Sequence, residues 1–163
     1  MRHIFLSLGS NLGNRLENLR KARALLAEEA GRINAVSDVY ETEPWGHHCN
    51  CTFFNQVIEL ETLQDPLNLL STIQQIEMRC GRVRSEKQYA ARTIDIDILF
   101  YNTEHMVTGN LVIPHPLLHL RQFVLIPLAD IAPSFVHPLL GITVKDLLDS
   151  CNDDKKIIQR LQG

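Results

Sequence analysis

Cysteine is scarce in this sequence, with four among 163 residues. Cys49, Cys51, Cys80 and Cys151 are too few for the disulfide framework of a small secreted scaffold, so they are expected to be reduced thiols. No apolar run reaches the ~18 residues of a membrane span. The opening MRHIFLSLGSNLGN also lacks the extended apolar core of a signal peptide, which makes the cytoplasm the expected compartment. Positive charge is not in excess either: a net charge of −3 argues against general nucleic-acid binding. Glycine-rich phosphate signatures are missing, with no Walker loop, kinase catalytic loop or dinucleotide fingerprint, and GSNLGN at 9 to 14 is too short to cradle a phosphate.

What remains is an ordinary globular composition, 45% hydrophobic and 21% charged. A chain of 163 residues is most simply one domain, 1–163, able to bury roughly 70% of its unfolded surface without staples. The cluster GHHCNC places His47, His48, Cys49 and Cys51 together as soft ligands. Adjacent and i+2 residues in one short loop rarely span a tetrahedral site, and no second motif completes the set. A polar loop is the expected reading.

The periodicities set out the elements in order. HIFLSL at 3 to 8 is a strand, and Asn14 with Glu17 resembles a capping box opening a helix through Leu16, Leu19 and Leu26 that Gly31 stops. Residues 33–41 read as a strand, 42–52 as a loop and 53–62 as a strand. Asp65 and Pro66 cap a second helix through Leu67, Leu70, Ile73 and Ile76 to Gly81, and IDIDILFY follows as a strand. This βαββαβ order predicts a ferredoxin-like α+β sandwich, a four-stranded antiparallel sheet with two helices on one face. A C-terminal extension contains a strand-like FVLIPL at 123 to 128 and an amphipathic portion from Thr143.

The stretch RTIDIDILFY carries the sharpest chemical signal. Side chains alternate across a strand, so Ile94, Ile96 and Ile98 share one face while Asp95 and Asp97 share the other, attached ~6.6 Å apart. Two carboxylates at that separation repel by about 2.5 kcal/mol at an effective dielectric of 20. A divalent cation would offset the repulsion; a solvated strand face is the alternative. Just upstream, Arg82, Arg84, Lys87 and Arg92 concentrate positive charge. Guanidinium forks match phosphate oxygens, and Mg2+ is typically held by one or two carboxylates plus substrate phosphates. The combination fits a metal-bound nucleoside triphosphate, or equally a surface of exchanged salt bridges. Gln74 and Glu77, i and i+3 near the end of the second helix, fit a base or ribose contact, with the solvent side of the helix as the simpler reading. Phe53 and Asn55 on one strand face, with Trp45, Phe54 and Phe123 elsewhere, suit a flat heterocycle by stacking and paired amide hydrogen bonds, or a core.

In ordered sequence, SLGSNLG, YETEPWG, FFNQV, QQIEMRCGRVR, RTIDIDIL and IPHPLLHLRQFVLIPL make the chain resemble the 6-hydroxymethyl-7,8-dihydropterin pyrophosphokinase family from about His3 to Asp149. The resemblance implies transfer of the β,γ-diphosphate of ATP to the pterin hydroxymethyl group with release of AMP, using two Mg2+ ions, by a cytoplasmic monomer whose partners are these two small-molecule substrates and neither nucleic acid nor membrane. It implies that Asp95 and Asp97 hold the metals and that Arg82, Arg92, His115 and Arg121 contact phosphates. Gln74, Glu77, Arg84 and Ile98 would belong to the ATP pocket. Gly9, Thr42, Trp45, Phe53, Asn55 and Phe123 would bind the pterin, residues 53 and 123 sandwiching the ring. The chain departs from the family pattern at Gln88 to Ala91, where Arg-Trp-Gly-Pro is frequent, at Phe53, where Tyr is frequent, and at Pro116. On the residues alone, another Mg2+-dependent phosphoryl transfer and a non-catalytic ligand-sensing module are the competing readings.

Overall fold

The computed structural model describes residues 2–45, 51–81, 93–155 and 157–162. Strand β1 (Arg2–Ser10) runs through the centre of the main sheet, and helix α1 (Arg15–Glu29) follows, its first turn capped by the Asn14 side chain accepting from the Glu17 amide. Strands β2 (Arg32–Val36) and β3 (Val39–Thr42) replace the single strand expected over 33–41, separated by Ser37, whose hydroxyl accepts from the Val57 amide. Strand β4 (Phe53–Thr62) pairs with β1, β2 and β3. Helix α2 (Pro66–Arg79) opens as expected on Asp65, whose carboxylate accepts from the Leu67 and Asn68 amides. Strand β5 (Asp95–Tyr101) then returns beside β1.

The order β5-β1-β4-β3, with both helical crossovers between, is the ferredoxin-like arrangement. Two features enlarge it. A C-terminal strand adds to β3, which with β2 beside β4 makes six strands, and helices cover both sheet faces rather than one. Helices α1 and α2 pack on Ile4, Leu6, Leu8, Ile58 and Leu60 together with Ile94, Ile96 and Ile98. On the opposite face, Phe5, Val57, Leu99 and Phe100 meet helices α3 (Gln122–Ile131) and α4 (Val144–Ser150). A short hairpin, β6 (Met106–Thr108) and β7 (Leu111–Ile113), precedes α3, and strand β8 (Ile157–Leu161) ends the chain's regular structure.

Helix α3 corrects the strand expected at FVLIPL. Val124, Leu125 and Leu128 are buried at helical spacing, and the N-terminal amide of Gln122 is held at 3.0 Å by the carboxylate of Asp153. Glycine is required at Gly31, where φ is 155° and an added Cβ would stand 2.1 Å from the carbonyl oxygen of Glu61. Cys80 and Cys151 are free thiols, but Cys51 is disulfide-bonded, which corrects the expectation of uniformly reduced cysteines. Among the described residues no helix is long and apolar enough to cross a membrane.

Candidate functional site

The strand register assembles the site. Asp95 lies opposite Gly9, Gly9 opposite Asn55, and Asn55 opposite Tyr40, a row that crosses four strands. Directly opposed residues in antiparallel strands project to the same face. Asp97 opposite Ser7, and Thr42 opposite Phe53, extend the same surface. The two aspartates, Gly9, Asn55, Phe53 and Thr42 therefore share the face that carries α3, while Ile94, Ile96 and Ile98 are at most 5% exposed in the other core.

Helix α3 brings the cation. Arg121 precedes its first turn, with its guanidinium carbon 4.5 Å from the Trp45 ring centroid and 5.6 Å from that of Phe123. Burial lowers the Arg121 pKa, and Asp97 and Asp95 oppose that shift, so the guanidinium faces the acidic pair and stays charged. Its Nε is buried without a hydrogen-bond partner among the described residues. An unspent donor beside two carboxylates suits an incoming oxyanion.

Asn55 is 3% exposed and donates from Nδ2 to the Thr42 hydroxyl at 2.7 Å. A Cβ on Gly9 would lie 3.3 Å from the Asn55 Oδ1, so glycine here keeps the carboxamide in place. Tyr40 ties this end of the sheet to α3 by donating to Asp130 at 2.8 Å, and burial with that hydrogen bond raises its pKa to about 12.

Glu77 corrects the solvent-side reading from periodicity. It is 5% exposed, and its Oε1 accepts from the Ile96 amide at 2.8 Å, bracing β5 between the two aspartates. Gln74 is half-buried one turn earlier, and the Ile98 side chain is in the core. Ser10 adds a support that periodicity gives no sign of, donating to the Thr93 carbonyl at 2.6 Å just before β5. Arg82, Arg84 and Arg92, the departures at Gln88 to Ala91, and His47, His48 and Cys49 lie outside the described residues. The disulfide at Cys51 removes that thiolate from any metal-ligand set.

His115 is held beside β5 through its amide, which donates to the Leu99 carbonyl at 2.9 Å. Burial first, then the positive Arg121, lowers its pKa from 6.5 to about 4, against the pull of Asp95. Its Nδ1 accepts from the Leu117 amide at 3.2 Å, leaving the proton of the neutral ring on Nε2. Between pH 6.5 and about 4 the unfolded chain binds more protons at this residue than the folded one, so its contribution to stability is present above pH 6.5 and lost as pH falls toward 4. Thermal midpoints measured over that window are expected to fall less steeply in His115→Gln than in the wild type; equal slopes would contradict the assignment.

Comparison with known proteins follows the same lines. The family model described as 7,8-dihydro-6-hydroxymethylpterin-pyrophosphokinase (HPPK) matches residues 5–133. A Bacillus subtilis protein named 2-amino-4-hydroxy-6-hydroxymethyldihydropteridine pyrophosphokinase is 44% identical over 128 residues, covering 78% of this chain and 76% of its own. One of the same name from Aquifex aeolicus is 38% identical over 146 residues, covering 90% of each chain. Among solved structures, wild-type Plasmodium falciparum HPPK-DHPS with pteroate superposes with a TM-score of 0.74 at 19% identity, covering 91% of this chain but 44% of that one. The likeness there is one of fold, and the chain spans less than half of that structure.

Proposed function

The chain belongs to the 7,8-dihydro-6-hydroxymethylpterin-pyrophosphokinase family, and on that footing we propose that it transfers diphosphate from ATP to 6-hydroxymethyl-7,8-dihydropterin, releasing AMP, in folate biosynthesis. The observation that carries the reading is the shared sheet face on which Asp95 and Asp97 stand opposite Gly9 and Ser7 beneath Arg121.

The donor chemistry of this face suits the two Mg2+ ions of the proposal: the donors are hard carboxylate oxygens, and both aspartates are half-buried rather than sealed. Bound there with the triphosphate, the ions would neutralise phosphate charge and lower the pKa of the attacking hydroxyl. The chain's own residues supply the rest. Asp95 and Asp97 would hold the metals, Arg121 and the His115 Nε2–H would contact phosphate oxygens, and Arg82 and Arg92 would add neutralising charge during transfer. Gln74, Arg84 and the Ile98 backbone would line the nucleotide, with Glu77 acting through β5. Thr42 and Asn55 would pair with the heterocycle, and Trp45, Phe53 and Phe123 would supply apolar faces, with Gly9 leaving room. Since the pterin oxygen attacks phosphorus in line, positioning and charge neutralisation account for catalysis without a dedicated protein base. We take the protein to act as a cytoplasmic monomer.

Incubation with ATP, Mg2+ and the dihydropterin alcohol is expected to give AMP and pterin diphosphate in equal amounts. ADP or free phosphate instead would assign a different phosphoryl transfer, and no nucleotide product would point to a sensing module.

A further inference from the structure

We infer that Arg15 is a positioning residue for the pterin end of the site, a single guanidinium that pins both ends of the segment carrying Trp45. The inference rests on the functional reading above. That segment leaves β3 at Thr42 and rejoins β4 at Phe53, two residues placed in the pterin pocket. Immediately before Thr42, within β3, is Glu41, and immediately before Phe53 is Thr52.

Arg15 holds both. Its Nη1 donates to the Glu41 Oε1 at 3.1 Å, to the Thr52 carbonyl at 3.0 Å and to the Thr52 hydroxyl at 2.5 Å, and that hydroxyl donates onward to the Glu41 Oε1 at 2.5 Å. The guanidinium carbon also lies 3.8 Å from the Phe54 ring centroid. The group is well shielded, with the Arg15 side chain 26% and the Glu41 side chain 17% exposed. The Thr52 hydrogen bond, with help from Arg15, lowers the Glu41 pKa despite its burial, keeping the carboxylate charged. A second tie from the same β1–α1 connection reaches the segment's exit, where the Asn11 Nδ2 lies 3.7 Å from the Cys51 Sγ.

Register separates this cluster from the substrate surface. Glu41 is opposite Phe54, whereas Thr42 is opposite Phe53, so Arg15, Glu41 and Phe54 lie on the sheet face away from Thr42, Phe53 and Asn55. Arg15 thus acts through β3 and β4, not by touching the ligand. Holding an arginine at a shielded position needs a return beyond packing, because an apolar side chain would stack on Phe54 without the desolvation cost. The directional bonds from Nη1, with the guanidinium plane stacked on Phe54, fix where Thr42 and Phe53 emerge and from where Trp45 extends.

Trp45 is the only tryptophan in the chain, so its emission reports the segment directly. Arg15→Met is expected to raise KM for the pterin about tenfold, leave KM for ATP and saturating kcat within about twofold, and lower the fluorescence anisotropy of Trp45. Arg20→Met, on the same helix with a 66% exposed side chain, is expected to change none of these. If Arg15→Met does not fold, Arg15→Lys, which keeps the charge and loses the planar guanidinium stacked on Phe54, carries the same expectations. Unchanged pterin KM, or equal losses for both substrates, would overturn the inference while wild-type AMP formation stands. Absence of AMP from the wild type would overturn the functional reading itself.

Discussion

Asp95→Ala and Asp97→Ala are each expected to lower diphosphate transfer by about 10³-fold or more while leaving the fold intact. A metal clamp on a transferring phosphoryl group contributes several kcal/mol to the transition state, and each 1.36 kcal/mol is tenfold in rate. The fold survives because the sheet is anchored by the other side of the same strand. Ile94, Ile96 and Ile98 are at most 5% exposed, and Glu77 still braces the Ile96 amide. The unfolding midpoint should therefore hold. Near-normal turnover in both variants, or loss of activity accompanied by unfolding, would count against the assignment.

Arg121→Ala is expected to reduce kcat/KM for ATP by about 10²- to 10³-fold, the cost of removing one preorganised donor from developing charge. The residue is suited to that role by its charge facing Asp95 and Asp97 and by a buried Nε lacking a partner among the described residues. Stacking over Trp45 holds the guanidinium plane without using its donors. Arg121→Lys should recover only part of the rate, since it restores a charge but not the fork. Steady-state kinetics with ATP varied provide the check; full recovery by lysine would mean that charge alone matters, and an unaffected alanine variant would remove Arg121 from the site.

The elements legible in the sequence are those whose signal is local. The IDIDIL alternation marks a strand with one buried face, and Asn14 and Asp65 mark helix starts by side-chain caps two or three residues from the amides they hold. FVLIPL lacks such a mark: its apolar run has no clear period, and the carboxylate at its N-terminus comes from Asp153, 31 residues later. Glu77 misleads for the same reason, because the amide that makes its burial tolerable belongs to another strand. The Arg15 cluster joins a helix start, a strand end and a strand start through tertiary contacts. Gly9, Asn55 and Asp95 become neighbours only through register, which no single segment encodes.

Diphosphate transfer as proposed requires the acidic face of β5 to hold the metal–ATP complex. Mn2+ electron paramagnetic resonance, with a non-hydrolysable ATP analogue and the pterin alcohol present, counts the ions bound. Two ions per wild-type chain and loss of both from Asp95→Ala and Asp97→Ala are the predicted result; unchanged occupancy in the variants would place the metals, and the reaction, elsewhere.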